Sequence, residues 1–220
     1  MFTGLVEGVG KIVKVIPPAN EEGGVASAIT ARAASTLWLD AGPLAEGVRP
    51  GDSIALNGCC LTAVEIDGPR LRFDLLQETE RRTNLRGLRP GAAINLERAL
   101  PASGRSGGHF VTGHVDATGA ILRFDQTGAE HELTIAVQPA HAAYLVPKGC
   151  IAVDGISLTV GRVGPAEFSV WIIPHTHAVT ALRERAVGDL VNLEFDLLAK
   201  YVEKILAVRT ARPAEPADAK

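Results

Sequence analysis

Hydrophobic positions along the chain fall in short alternating or wholly apolar runs broken by turn residues, the pattern of strands rather than of long helices. Gly4 to Val15 is rich in Val, Ile and Gly, and Ser53 to Leu56, Leu61 to Ile66 and Leu71 to Leu76 are brief runs punctuated by Asn57-Gly58, Asp67-Gly68 and Pro90-Gly91. The same punctuation returns at Asp154-Gly155, Gly164-Pro165 and Val187-Gly188. Brief helical turns are expected near Ser35 to Leu39 and Glu78 to Leu85. Only towards the end does the period change. Leu197, Leu198, Tyr201, Val202, Ile205 and Leu206 recur at steps of three and four, which places them on one face of a helix of about three turns. So short a helix needs a surface to pack on. Pro213 and Pro216 among Ala, Glu and Asp predict a disordered tail over 211–220.

The chain also repeats itself. Ile54-Ala55-Leu56-Asn57-Gly58-Cys59-Cys60-Leu61-Thr62 aligns with Ile151-Ala152-Val153-Asp154-Gly155-Ile156-Ser157-Leu158-Thr159 at a shift of 97 residues, 54 to 151, and the same shift carries Asn95-Leu96-Glu97 onto Asn192-Leu193-Glu194. Nearer the start, Thr3-Gly4 and Gly10 match Thr112-Gly113 and Gly119 at a shift of 109, 3 to 112, so the first copy carries extra residues, placed between Pro17 and Val48. Two copies are too few to stack as a solenoid, so each is expected to close on itself. The predicted fold is mainly all-β: two tandem six-stranded Greek-key barrels with short helices, the first over 1–100 and the second over 101–196, followed by an amphipathic α-helix over 197–210.

Composition narrows the function classes. With 220 residues, 46% of them hydrophobic, the chain buries a core of its own. A net charge of -3, spread through the sequence, provides no basic stripe for nucleic acid. No apolar run approaches a bilayer span, and Glu7 and Lys11 interrupt what a leader would need, so no membrane partner and a cytoplasmic location are expected. Three cysteines, two of them adjacent, read as reduced thiols.

Candidate chemistry gathers where the two copies differ. In Gly107-Gly108-His109-Phe110-Val111-Thr112-Gly113-His114-Val115-Asp116, His109 reads as a turn or backbone-bonding histidine beside its glycine pair, whereas His114 replaces Leu5 of the first copy and is the stronger candidate for chemistry. The central motifs share Gly58/Gly155, Leu61/Leu158 and Thr62/Thr159 but differ at Asn57/Asp154 and Cys60/Ser157, and Ala99/Asp196 differ further on. Cys60 reads either as a nucleophile or as a buried small hydrophobe. Lys148, Asp154 and Ser157 lie close in sequence, with Lys148 and Asp154 on one face of a regular strand. His175-Thr176-His177 lacks further ligands at metal-site spacing, so no metal is expected. Glycine-rich nucleotide loops and a Gly-x-Ser-x-Gly elbow are missing too.

Taken in order, MFTG (Met1 to Gly4), NGCCLT (Asn57 to Thr62), ETERRTNL (Glu78 to Leu85), NLERA (Asn95 to Ala99), GGHFVTGHVD, KGCIAVDGISLT (Lys148 to Thr159), IIPHT (Ile172 to Thr176) and VNLEFDLLAKYVE (Val191 to Glu203) resemble the riboflavin synthase family from Met1 to about Leu206. Cys150, His177 and Ala117 depart from the residues usual there. The resemblance implies a cofactor-free dismutation of two 6,7-dimethyl-8-ribityllumazine molecules to riboflavin and 5-amino-6-(D-ribitylamino)uracil, by a homotrimer with its sites between subunits and an association with lumazine synthase. It implies catalytic roles for His114, Ser157, Cys60, Thr3 and Phe2, the last covering the site. It implies substrate contacts in the first barrel from Gly4, Leu5, Val6, Cys60, Leu61, Thr62, Asp74, Leu75, Leu76, Gln77, Glu78 and Thr79. In the second barrel it implies Gly113, His114, Val115, Lys148, Asp154, Ser157, Leu158, Thr159, Ile173, Pro174, His175, Thr176, His177 and Ala178, with Asp196 helping to position the substrate. The alternative is a non-catalytic lumazine- or flavin-binding antenna protein of the same fold.

Overall fold

The computed structural model describes residues 1–17 and 35–210. The expected tail at 211–220, and part of the stretch expected to hold the extra residues of the first copy, lie outside the described residues. Each copy is a closed antiparallel barrel of six strands. The first consists of β1 (Gly8–Ile16), β2 (Ser35–Asp40), β3 (Ser53–Leu56), β4 (Cys59–Asp67), β5 (Arg70–Leu75) and β6 (Ala93–Arg98), and the second of β7 (Ala117–Thr127), β8 (Glu130–Ala136), β9 (Cys150–Val153), β10 (Ile156–Val163), β11 (Glu167–Ile172) and β12 (Leu190–Phe195). Around the first barrel the order is β1-β2-β5-β4-β3-β6, and the second repeats it strand for strand. Neighbours that are not consecutive in sequence make this a Greek key, and closure removes the strand edges that would invite foreign pairing.

Local sequence explains the corners. Asn57-Gly58 joins β3 to β4, and Asp154-Gly155 joins β9 to β10; all four residues have positive φ, as a two-residue hairpin turn demands. Period-two alternation points Leu37, Leu39, Leu71 and Phe73 into the first core and Leu133, Ile135, Phe168 and Val170 into the second. The helical turn expected near Ser35 to Leu39 is instead strand β2. Alternation decides it: Ser35, Leu37 and Leu39 are buried, while Thr36, Trp38 and Asp40 face outward. Lys148 and Asp154 do not share a strand face either, because β9 covers only Cys150–Val153 and both residues lie in turns at positive φ.

Two short helices, α1 (Gln77–Arg82) and α2 (Pro174–Val179), occupy equivalent places after β5 and β11. The last helix, α3 (Leu197–Thr210), starts at Asp196, whose Oδ1 accepts the Leu198 N–H at 2.9 Å as an N-cap does. Its Glu203 receives the Tyr144 hydroxyl of the second barrel. Leu198, Tyr201, Val202 and Ile205 are all more than half exposed on this helix. None of the helices among the described residues is long and apolar enough to cross a membrane.

Candidate active site

The barrels are joined by segments that cross between them. Phe2 and Val111, equivalent residues of the two copies, pair with each other across the seam, the Phe2 N–H donating to the Val111 carbonyl at 2.8 Å. Beyond this point each segment runs onto the other copy's barrel. Gly4 accepts the Ser157 N–H at 2.8 Å, and Gly113 accepts the Cys60 N–H at 2.8 Å. Val6 packs on the second barrel's core and Val115 on the first's. A Cβ on Gly113 would lie 2.5 Å from that of Cys60, and one on Gly4 would lie 2.6 Å from that of Ser157, so only glycine permits the contact.

Carboxylates anchor both crossings. Glu194 accepts the Thr112 N–H, the Thr112 hydroxyl and the Gly113 N–H at 2.7, 2.7 and 2.9 Å, and Glu97 does the same for Thr3 and Gly4 at 2.6, 2.9 and 3.0 Å. Burial pushes the Glu97 carboxyl up from its ordinary range, opposed by these donors. Between the barrels, Asn95 Nδ2 donates to the Asp154 carbonyl and Asn192 Nδ2 to the Asn57 carbonyl. The symmetry fails at one charge. Asp154 is fully buried; Oδ1 accepts the Asn84 side chain and the Asn192 N–H, and Oδ2 accepts Arg185 at 2.8 Å. No surface of Asp154 is left to touch a substrate, so its difference from Asn57 is explained by Arg185.

Cys60 and Thr62 face outward on β4, beside the crossing segment from the other barrel. Cys60 lines a cleft of about 430 Å³ with Cys59, Glu78, Thr79, Arg82, Thr83, Gly113, His114, Val115 and Asp116, and Thr62 is not part of it. That volume lies within the range of small-molecule sites, roughly 300–1,000 Å³. Burial pushes the Cys59 thiol up to about 12, helped by Cys60 and Glu194, which disqualifies Cys59 as a nucleophile near neutral pH. Cys60 is half-buried and His114 exposed. Larger clefts lie elsewhere, one of about 620 Å³ lined by the carboxylates of Glu7, Glu46, Asp52 and Glu97, another of about 650 Å³ under α3. Neither brings a thiol together with an imidazole, so the smaller cleft is the better candidate.

At the equivalent place on the second barrel, Ser157 and Thr159 face outward on β10, next to Gly4 and Leu5. His109 Nδ1 lies 2.7 Å from Ser157 Oγ, its backbone N–H donates to the Thr3 carbonyl at 3.1 Å, and its Nε2 is buried without a hydrogen-bond partner. Burial lowers the His109 pKa, with Asp196 acting the other way. The sequence marks this histidine as a turn residue; its contact with Ser157, at the start of the segment that crosses to Cys60, is legible only once the crossing is known.

A family model described as the lumazine binding domain matches the chain twice, at residues 3–99 and 112–196. The chain belongs to the riboflavin synthase family. It is 44% identical over 213 residues to the riboflavin synthase of Mycobacterium tuberculosis strain H37Rv, covering 94% of this chain and 98% of that one. It is 40% identical over 206 residues to that of Bacillus amyloliquefaciens, at 94% and 90% coverage, and 37% identical over 212 residues to that of Schizosaccharomyces pombe, at 96% of each. Among solved structures, LumP complexed with riboflavin superposes with a TM-score of 0.76 at 22% identity, covering 89% of this chain and 99% of that one. That likeness carries the double-barrel fold.

Within this riboflavin synthase frame the expected residues sort themselves by place. Gly4 and Val6 meet the second barrel, and Gly113, His114 and Val115 the first, because the two segments cross, while Leu5 lines the cleft of about 620 Å³ on the first barrel. Leu61, Leu75 and Leu158 are core residues that point inward. The Phe2 side chain is buried with Ala55, Val111 and Ala152 in the seam between the barrels, with Cys60 packed against it. The Thr3 hydroxyl is engaged with Glu97. Asp74, Leu76, Gln77 and Glu78 of the first barrel, and Lys148, Ile173, Pro174, His175 and Ala178 of the second, are exposed; Thr79, Thr176 and His177 are half-buried. Sequence reading missed Arg82 and Thr83, which follow Thr79 around α1 into the cleft wall.

Proposed function

We propose that this chain performs the reaction of its family. Two molecules of 6,7-dimethyl-8-ribityllumazine exchange a four-carbon unit to leave riboflavin and 5-amino-6-(D-ribitylamino)uracil. Atoms and electrons balance between the two lumazines, so the reaction calls for no external oxidant or cofactor. The observation that carries the reading is a pair of equivalent places furnished differently, Cys60 and His114 lining a cleft on one barrel and Ser157 bonded to His109 on the other. Two copies of one substrate need two similar pockets, and a reaction that makes one a donor and the other an acceptor needs those pockets to differ.

His114 is the base for the acidic C7 methyl of one lumazine, with Cys60 or water adding at C7 of the other. The Ser157 hydroxyl, held by His109, moves a proton on the second barrel. Holding both molecules oriented supplies most of the acceleration, since an aligned encounter of this kind is worth up to about 7–11 kcal/mol. The exposed apolar residues of α3 support a homotrimer whose subunits bring the clefts of different barrels face to face. Free thiols at Cys59, Cys60 and Cys150 support a reducing, cytoplasmic setting.

Mixing the purified full chain with 6,7-dimethyl-8-ribityllumazine tests the proposal. Riboflavin absorbance is expected to rise by one equivalent per two lumazines consumed. A static spectral shift with no riboflavin would assign the chain to the antenna-type binders instead.

A further inference from the structure

Beyond each crossing segment stands a carboxylate. Glu7 follows Gly4 by three residues and Asp116 follows Gly113 by three. Each accepts the backbone N–H at the end of its own copy's last strand: Arg98 N–H donates to Glu7 Oε1 at 2.6 Å, and Phe195 N–H to Asp116 Oδ2 at 2.9 Å. Each also meets one cation, and there the copies part. In the first copy the cation is the Arg98 side chain, with Nη2 2.6 Å from Glu7 Oε2. In the second copy that position is Phe195, whose ring lies among those of His141 and Tyr144. The cation comes from α3 instead: Lys200 Nζ lies 2.5 Å from Asp116 Oδ2.

A surface ion pair is ordinarily worth little, about 0–1 kcal/mol. This one is sheltered, with side chains 26% and 25% exposed, and its carboxylate oxygen is shared with the Phe195 N–H. Its position matters more than its strength. Asp116 is part of the wall of the Cys60–His114 cleft and lies two residues from His114. Lys200 lies one turn into a helix that is capped by Asp196 and tied to Tyr144. The helix and the cleft thus meet at the Lys200–Asp116 pair, where the first copy pairs Glu7 with Arg98 and uses no helix.

We propose that Lys200 is a positioning residue for the reaction: through Asp116 it ties the seat of α3 to the crossing segment that carries His114. The proposal rests on the reading that this cleft is one of the two lumazine sites. The residues that would feel the tie are held partly by backbone bonds, from the Cys60 N–H to the Gly113 carbonyl and from the Asp116 N–H to the Leu193 carbonyl, and otherwise by side chains. Thr112 and Gly113 donate to Glu194, and the His114 N–H donates to Thr112 Oγ1 at 3.3 Å. A segment anchored this way shifts when the charge beyond it loses its partner. Whatever packs on the exposed apolar side of α3, a second copy of this chain above all, then acts on the cleft as well.

Full-length Lys200→Met and Lys200→Arg are compared with the parent by riboflavin formation, by amide hydrogen exchange over residues 112–116, and by the mass of the intact assembly. Lys200→Met is expected to lower kcat by about tenfold, the scale on which small misplacements of a reacting group act. It is expected to speed exchange across 112–116 several-fold with the assembly mass unchanged. Lys200→Arg is expected to restore both. Exchange over 112–116 that is unchanged in Lys200→Met overturns the proposal. Should the parent itself form no riboflavin, the enzymatic reading falls, while exchange still decides whether the helix and the segment are coupled.

Discussion

The carbonyl of Gly113 accepts the backbone N–H of Cys60 at 2.8 Å, joining a residue of the second copy to the central hairpin of the first. The mirror contact, Gly4 with Ser157, has the same length. The Cys60–His114 cleft is therefore built from both copies, and the surroundings of Ser157 are assembled in the same way. A duplicated chain that only placed two barrels side by side would not need Glu97 and Glu194, each collecting three donors to bend a crossing segment into place.

Gly113 has φ +81° and no room for a Cβ, whereas Gly91 has φ +88° with nothing within 4 Å of where a Cβ would sit. Both alanine variants incur left-handed backbone strain of about 1–2 kcal/mol. Gly113→Ala adds overpacking against Cys60, about 1–3 kcal/mol more. Urea unfolding is expected to rank Gly113→Ala well below Gly91→Ala. Equal midpoints would mean that the close approach to Cys60 contributes nothing.

His114→Ala is expected to lower kcat by about 10²–10⁴, the usual contribution of a positioned acid or base, while riboflavin still binds. Cys60→Ala and Ser157→Ala separate the two clefts. If the thiol adds at C7, Cys60→Ala falls as far as His114→Ala; if water adds, it retains most of its turnover. Steady-state rates with binding measured alongside decide, and undiminished turnover in His114→Ala removes that residue from the chemistry.

The rings of His131 and His177 stack at 4.0 Å and 18°, with Phe124 edge-on to both. Burial lowers the His177 pKa below 6.5, helped by His131 and Arg183. Because the folded chain binds this proton less readily than the unfolded one, the contribution is complete above about pH 6.5 and declines as the pH falls through that value. His109 acts in the same direction. The loss of stability between pH 7.5 and pH 5.5 is expected to be smaller in His177→Leu than in the parent. Denaturation midpoints at the two pH values check it, and an unchanged difference assigns no such role to His177.

Much of this was legible in the sequence. The duplication, the strand period and the Asn57-Gly58 and Asp154-Gly155 hairpins are local signals, and local signals survive folding. The crossing was not legible, because a repeat aligns each segment with its own copy and Gly4 meets Cys60 or Ser157 equally well on paper. Differences between the copies also proved to have more than one cause. Asp154 differs from Asn57 because Arg185 stands where the first copy has Leu88, and Asp196 differs from Ala99 because a helix begins there and needs a cap. His114 and Cys60 remain at the cleft, with Ser157 at the equivalent place on the second barrel. His109, read as a turn residue, bonds Ser157 because the chain crosses just after it.

Counting sites tests the central claim, that each chain carries two clefts assembled across the barrels, most directly. Calorimetric titration of the full chain with riboflavin is expected to find two sites per chain, and Cys60→Phe, which fills the first cleft, is expected to leave one. A parent with a single site, or a Cys60→Phe variant that still binds two, would contradict it.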